Sequence, residues 1–149
     1  MKLTDYIAMD SVLVDMEASS KTDALQKISA GIGDVSGLPA DAILNVLQRR
    51  ESLGSTGIGN GIAIPHARIS GIGKPIGFLA RLLKPIDYDS IDDLPVDIIF
   101  ALLTPDEETN KHLNVLAHIA KKLRSPAVVA KLRAARSGRL LRDSLVADG

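Results

Sequence analysis

The sequence predicts a single α/β domain in which one sheet is covered by helices on both faces. Three observations carry this. Candidate helices and strands interleave along the chain, the pattern of an α/β layer structure. The run 96–103 is apolar apart from Asp97, as in a central strand buried on both faces. With 149 residues and 46% hydrophobic content, the chain suits one core of ordinary size, so the domain is taken as residues 1–149.

The elements follow in order. Residues 11–14 (Ser-Val-Leu-Val) are β-prone, and Ser19, Ser20 and Thr22 offer N-caps for a helix carrying Ala24, Leu25 and Ile28. Gly31 and Gly33 are expected to end it. Pro39, as a first-turn proline, opens a second helix whose apolar face is Ile43, Leu44 and Leu47 and whose end is Arg49-Arg50-Glu51. Gly59-Asn60-Gly61 reads as a hairpin turn and Ile62-Ala63-Ile64 as a short buried strand. After the turn at 71–75, residues 76–83 form a strand holding Arg81, with Pro85 as its stop.

An acidic loop with Asp87, Asp89, Asp92 and Asp93 leads to Pro95 and the central strand. Residues 104–108 mark a loop before a helix at 110–123, with the stripe Leu113, Leu116, Ala117, Ala120 and Leu123. At about 100° per residue, His112 falls at the edge of that stripe and His118 opposite it, toward solvent. Ser125-Pro126 and Ser137-Gly138 open two last helices, through Val128, Val129 and Leu132 and through Leu140, Leu141 and Leu145. The final residues 147–149 are expected to fray.

Composition excludes several functions. Eighteen basic and eighteen acidic residues balance to zero, so no global field recruits nucleic acid or an anionic membrane. Without cysteine there is no disulfide scaffold, thiolate metal site or thiol catalysis, which fits a reducing cytoplasm. The N-terminus lacks an apolar run behind a basic flank, and no apolar stretch approaches the roughly 20 residues that cross a bilayer. A soluble, cytoplasmic protein is expected.

The chemistry concentrates in residues 54–68, Gly-Ser-Thr-Gly-Ile-Gly-Asn-Gly-Ile-Ala-Ile-Pro-His-Ala-Arg. Glycines at 54, 57, 59 and 61 let main-chain N–H groups approach a ligand, while Ser55, Thr56 and Asn60 add polar groups. Pro65 fixes its own φ, so His66 is carried on a stiff stem. There is no Gly-Lys-Ser/Thr and no dinucleotide fingerprint, so nucleotide loops are excluded. From the residues alone, a turn and strand that happen to precede a histidine remains an equal alternative.

The literal string resembles the active-site segment of phosphotransferase-system IIA proteins of the fructose/mannitol type, most of all their nitrogen-regulatory branch. The resemblance extends from Leu3 to about Leu145. It implies a mixed, roughly five-stranded sheet between helices, and a phosphoryl group carried on His66. It further implies Arg50 and His112 as phosphoryl contacts and Nε2 as the attacking nitrogen, a choice the sequence alone leaves open. Ser55, Thr56, Gly57, Gly59, Asn60 and Gly61 are the phosphate-loop candidates, with either phosphate contact or loop stabilisation open for Ser55 and Thr56. Two departures stand beside the histidine: Ala67, where many relatives have glycine, and the extra cation of Arg68.

Phosphoryl transfer asks the protein for positioning and for donors to the phosphoryl oxygens, with no cofactor. His112 and His118 lack the i, i+4 spacing of a metal pair, so no metal is assigned. The resemblance implies a phosphocarrier of the HPr type as phosphoryl donor, and a transporter or sensor kinase as a regulatory target bound in one phosphorylation state. The output would then be a nitrogen- or potassium-related switch. The alternative is a sugar-specific IIA component that hands its phosphate to a separate IIB for fructose- or mannitol-type uptake. No nucleic acid partner and no membrane insertion are expected.

Overall fold

The chain, in a computed structural model, is described over residues 3–7, 11–106 and 110–147; the side chains of Thr4 and of residues 110–113 lie outside that description. The elements are β1 (Val12–Met16), α1 (Lys21–Ser36), α2 (Ala40–Ser52), β2 (Gly57–Gly59), β3 (Ile62–Ala63), β4 (His66–Ile69), β5 (Ile76–Ile86), β6 (Val96–Pro105), α3 (Asn110–Leu123), α4 (Pro126–Ala134) and α5 (Gly138–Val146). The strand order is β1-β5-β6-β3-β2, and β4 also pairs with β6. The β5–β6 pair is antiparallel, whereas β1 runs parallel to β5 and both β3 and β4 run parallel to β6.

Strand β6 is the sheet's central element because both of its faces are apolar, as its near-continuous hydrophobic run requires. Ile99, Ala101 and Leu103 pack with Ala24, Ile28 and Ile32 of α1 and Ile43 and Leu47 of α2. The alternate residues Ile98, Phe100 and Leu102 pack with Val115, Ile119 and Leu123 of α3, Leu132 of α4 and Leu141 and Leu145 of α5. The period-2 alternation of one strand thus separates two helical layers. Each fully buried Ile, Leu or Phe contributes about 1.5–3 kcal/mol of transfer free energy.

Three serine caps fall where the sequence places them. Ser20, Ser125 and Ser137 accept the backbone N–H groups of Asp23, Val128 and Leu140, which satisfies donors that helix starts otherwise leave open. Pro39 stands at the N-cap of α2, one place before its first turn.

Several expectations are corrected. Helix α1 runs through Gly31 and Gly33 and stops at Gly37, whose left-handed conformation (φ +78°) caps it. Gly31 is a contact residue: a Cβ there would stand 2.6 Å from the Phe78 ring, so the glycine lets α1 approach the sheet. Strand β5 continues past Pro85 to Ile86, because the register shifts between Arg81 and Ile86 and a residue without an N–H is tolerated there. The sheet agrees with the expected roughly five strands, five lying in its main order and β4, which His66 itself opens, pairing with β6 beside it.

In α3 the buried line is Val115, Ile119 and Leu123, while Ala117 is exposed. His118, adjacent to Ile119 and one turn from Val115, is therefore half-buried at the stripe's edge and does not face open water. Leu113's side chain lies outside the described residues.

Arg81, the one charge in the predicted strand, has its place explained by α4. Its side chain is only 12% exposed, and Nη1 donates to the carbonyls of Leu132 at 2.9 Å and Ala135, while Nη2 reaches Asp15 at 3.4 Å. A cation thus satisfies the open carbonyls at a helix C-terminus. Arg81→Met keeps the apolar stem and removes these bonds, so stability should fall by about 2–3 kcal/mol. A lower urea midpoint with an unchanged slope is the expected result.

Candidate functional site

Helix α2 delivers Arg50 and Glu51 to the loop that precedes β2. Its last carbonyls are closed by the turn itself, with Leu53 N–H on Arg50 O and Gly54 N–H on Glu51 O, both at 3.1 Å. Arg50 Nη1 donates to Gly54 O at 2.9 Å, which uses one of the guanidinium's five donors and fixes where the rest point.

Glu51 is the anchor of this loop. Its side chain is 6% exposed, and four donors converge on it: Lys21 Nζ at 2.7 Å, Thr56 N–H at 3.1 Å, the Thr56 hydroxyl, and the Tyr88 hydroxyl at 3.1 Å. Lys21 Nζ also sits 4.6 Å from the centroid of the Tyr88 ring, a cation–π contact. Burial first, and then the neighbouring Glu51 charge, raise the Tyr88 hydroxyl's pKa above the usual phenol range, so it serves Glu51 as a neutral donor. Ser55 Oγ donates to Tyr88 O at 2.9 Å and accepts Gly57 N–H at 3.1 Å.

The loop passes its position to His66 through the next strand. Thr56 O accepts Ile64 N–H at 3.0 Å. The chain then breaks between β3 and β4 at Ile64-Pro65, where Pro65 brings no N–H and its carbonyl accepts from Leu102 N–H at 2.9 Å. Beyond the break His66 pairs with Leu102.

The half-buried imidazole turns back on its own stem, with Nδ1 2.7 Å from Ile64 O. A carbonyl only accepts, so Nδ1 carries the proton in the neutral ring and Nε2 keeps the lone pair. Ala67 packs in the α1–α2 layer, so alternation sends His66 to the opposite face, the side covered by α3. Position 112 lies in the first turn of α3, the helix that packs on that face at Val115, Ile119 and Leu123, and the His112 side chain is outside the described residues.

The other predicted residues divide by location. Ser55, Thr56 and Gly57 flank the His66 stem, but the Ser55 and Thr56 hydroxyls and the Thr56 and Gly57 N–H groups are engaged within the fold. These two hydroxyls stabilise the loop. Gly57 gives close approach, since a Cβ there would collide with Ser90. Gly59, Asn60 and Gly61 form the far end of the β2–β3 hairpin. Ile62 lies opposite Ile98 and His66 opposite Leu102, so this turn stands about 13 Å from the histidine along β6 at ordinary strand rise.

That turn is built for its own stability. Asp92 accepts Asn60 N–H at 2.9 Å, while Arg133 Nη2 donates to Asn60 O at 2.7 Å and its guanidinium grips Asp97 at 3.0 and 3.1 Å. Gly61 has φ +82°, and a Cβ would lie 2.5 Å from Arg133 Nη2. Gly59, Asn60 and Gly61, phosphate-loop candidates in the sequence, form a hairpin turn held by these contacts.

Sequence reasoning missed the anchoring roles of Lys21, Glu51 and Tyr88. The available signal was an aromatic residue, Tyr88, standing between two aspartates in an acidic loop. Among the described residues no three His, Cys, Asp or Glu gather as a metal site, and no helix is long and apolar enough to cross a membrane.

Comparison with known proteins shows the family and the fold. The family described as phosphoenolpyruvate-dependent sugar phosphotransferase system, EIIA 2, matches residues 5–145. A nitrogen regulatory protein of Bradyrhizobium diazoefficiens is 40% identical over 141 residues, covering 95% of this chain and 92% of its own. The crystal structure of nitrogen regulatory protein IIA-Ntr from Neisseria meningitidis superimposes with a TM-score of 0.90 at 32% identity, over 96% of this chain and 98% of that one. The Escherichia coli IIA-mannitol protein, solved in complex with phosphorylated IIB-mannitol, shares the fold at a TM-score of 0.74 and 16% identity, over 95% and 96% of the two chains.

The far turn yields a pH test. Backbone donors, first Asn60 and then Leu94, hold the Asp92 carboxyl below its ordinary value. A carboxylate with a depressed folded pKa stabilises fully above its unfolded pKa, about 3.9, and loses that contribution as pH falls through the folded value. The stability gap between wild type and Asp92→Asn should be present at pH 7, shrink below about pH 4, and vanish in stronger acid. Urea midpoints measured across that range check it.

Proposed function

We propose that this chain, which belongs to the EIIA type 2 family of the phosphoenolpyruvate-dependent sugar phosphotransferase system, accepts a phosphoryl group on Nε2 of His66 from an HPr-like phosphocarrier. The observation that carries the reading is the 2.7 Å contact from Nδ1 to Ile64 O, which leaves the lone pair on Nε2. In the transfer, the Nε2–P bond forms as the donor's bond to phosphorus breaks, and that bond's electron pair leaves with the donor. The ring gains positive charge as its lone pair is used. The Nδ1–H···O=C bond strengthens at that moment, so it stabilises the charged state more than the ground state.

Arg50 is the proposed partner of the phosphoryl oxygens. One N–H is spent on Gly54 O, and a planar guanidinium so oriented retains donors for two oxygens. His112 is the proposed second contact, supported by the topology that lays α3, through Val115, Ile119 and Leu123, on the sheet face His66 occupies. Thr56 and Ser55 have no part in gripping phosphate on this reading; they hold the loop.

The output is a regulatory switch. Full-length similarity to nitrogen regulatory proteins at 40% and 32% identity supports a phosphorylation-dependent partner, such as a transporter or sensor kinase, in nitrogen or potassium control. The sugar-uptake alternative, with phosphate passed to a separate IIB, draws on the mannitol complex, whose likeness is of fold alone.

His66→Ala should abolish acid-labile, base-stable labelling by an HPr-like carrier with the circular dichroism spectrum unchanged. Labelling at the wild-type level would remove His66 from the assignment. His112→Ala should still accept phosphate but at least about tenfold more slowly, the effect of losing one hydrogen bond to a charged group. Rapid-quench rates in both directions measure this.

A further inference from the structure

The hydrogen bonds around Glu51 and His66 form one continuous positional chain. The Glu51 carboxylate holds Thr56 by its N–H and its hydroxyl, Thr56 O holds Ile64 N–H at 3.0 Å, and Ile64 O holds His66 Nδ1 at 2.7 Å. We propose that Glu51 is a positioning residue for His66, setting the tautomer and orientation of the imidazole through Thr56 and Ile64. Its effect on phosphoryl uptake rests on the phosphocarrier reading; its effect on the ring does not.

The physical argument is one of tolerance. A hydrogen bond weakens steeply as its angle falls, so the Ile64 carbonyl selects the Nδ1-protonated ring only while Ile64 stays in register. Ile64 lies at a break between strands, where Thr56 supplies the contact that β3 and β4 do not. Thr56 in turn belongs to a loop, and loops hold position only where something outside them fixes the backbone. Here the fixing group is a carboxylate paired with the Lys21 ammonium at 2.7 Å, and charge-assisted bonds are roughly twice as strong as neutral ones. If the loop shifts, the ring proton is released to occupy Nε2, and a protonated Nε2 has no lone pair for in-line attack. Misplacing a reacting group by about 1 Å costs on the order of a hundredfold in rate.

Glu51→Gln separates charge from shape. The amide keeps one acceptor oxygen but turns an NH2 toward Lys21 or the Thr56 N–H, so two donors face each other. The expected result has two parts. Long-range 1H–15N spectra should show the Nε2-protonated fraction of His66 rising above wild type. Single-turnover labelling by an HPr-like carrier should fall about tenfold or more in maximal rate, with little change in the half-saturating carrier concentration.

Arg81→Met is the control for a general loss of stability, since Arg81, on β5, bonds the carbonyls at the end of α4 and touches none of these groups. It should leave the His66 spectrum and labelling rate unchanged. A wild-type tautomer and rate in Glu51→Gln would overturn the proposal, as would an equal shift in Arg81→Met. If Glu51→Gln does not fold, Thr56→Val should shift the tautomer and slow labelling while Thr56→Ser restores both; wild-type behaviour of Thr56→Val overturns the role. A tautomer shift in Glu51→Gln, with no labelling of wild type by the carrier, upholds the positioning role and sinks the phosphocarrier reading.

Discussion

A carboxylate taken out of water at the end of α2 constrains everything around the candidate site. Burying an ion costs several kcal/mol unless donors replace its hydration, and Glu51 meets that demand with groups from α1, the 53–56 loop and the loop after β5. None of these segments can move alone without leaving a charge or a donor unmatched. The Tyr88 ring lying beneath Lys21 ties the arrangement to the core, because Tyr88 is fully buried. The loop that flanks His66 is therefore rigid for reasons that have nothing to do with phosphate.

Much of the fold was legible because its main determinants are local. The apolar run of β6 could satisfy its faces only between two layers, and Ser20, Ser125 and Ser137 mark helix starts by chemistry within three residues. What escaped was long-range. Gly31 looks like a stop signal until the Phe78 ring is placed against it, and Pro85 looks like one until β5 shifts register past it. Strand β4 was invisible because its four residues, with Pro65 before them, become a strand only by pairing with residues 102–105.

The site divides along the same line. The stiff stem of His66 was readable from Ile64 and Pro65, and so was the arrival of Arg50 at the loop. The glycine-rich stretch reads as one unit in the sequence, but a linear string hides that a hairpin folds it in two, with Gly54 to Gly57 beside the histidine stem and Gly59 to Gly61 at the other end. Polar residue types were also ambiguous. Thr56 has the chemistry of a phosphate ligand, yet a buried carboxylate thirty-odd residues from Tyr88 in sequence and adjacent to it in space takes its hydroxyl first.

The rigidity has a consequence for any signal carried by His66. A phosphoryl group adds roughly two negative charges, and a loop already pinned by Glu51 has little freedom to rearrange in response. On the proposed reading the change is therefore read at the surface. Leu53, 83% exposed at the start of the loop, offers a partner an apolar contact beside Arg50, whose guanidinium stays oriented by Gly54 in either state. A partner that covers the unmodified ring must, after phosphorylation, strip water from a dianion or supply cations of its own. Removing hydration from such a group without compensation costs several kcal/mol, and each 1.4 kcal/mol is about a factor of ten in affinity. Electrostatics at a fixed surface is thus enough to separate the partners of the two states, with no second conformation of the fold required.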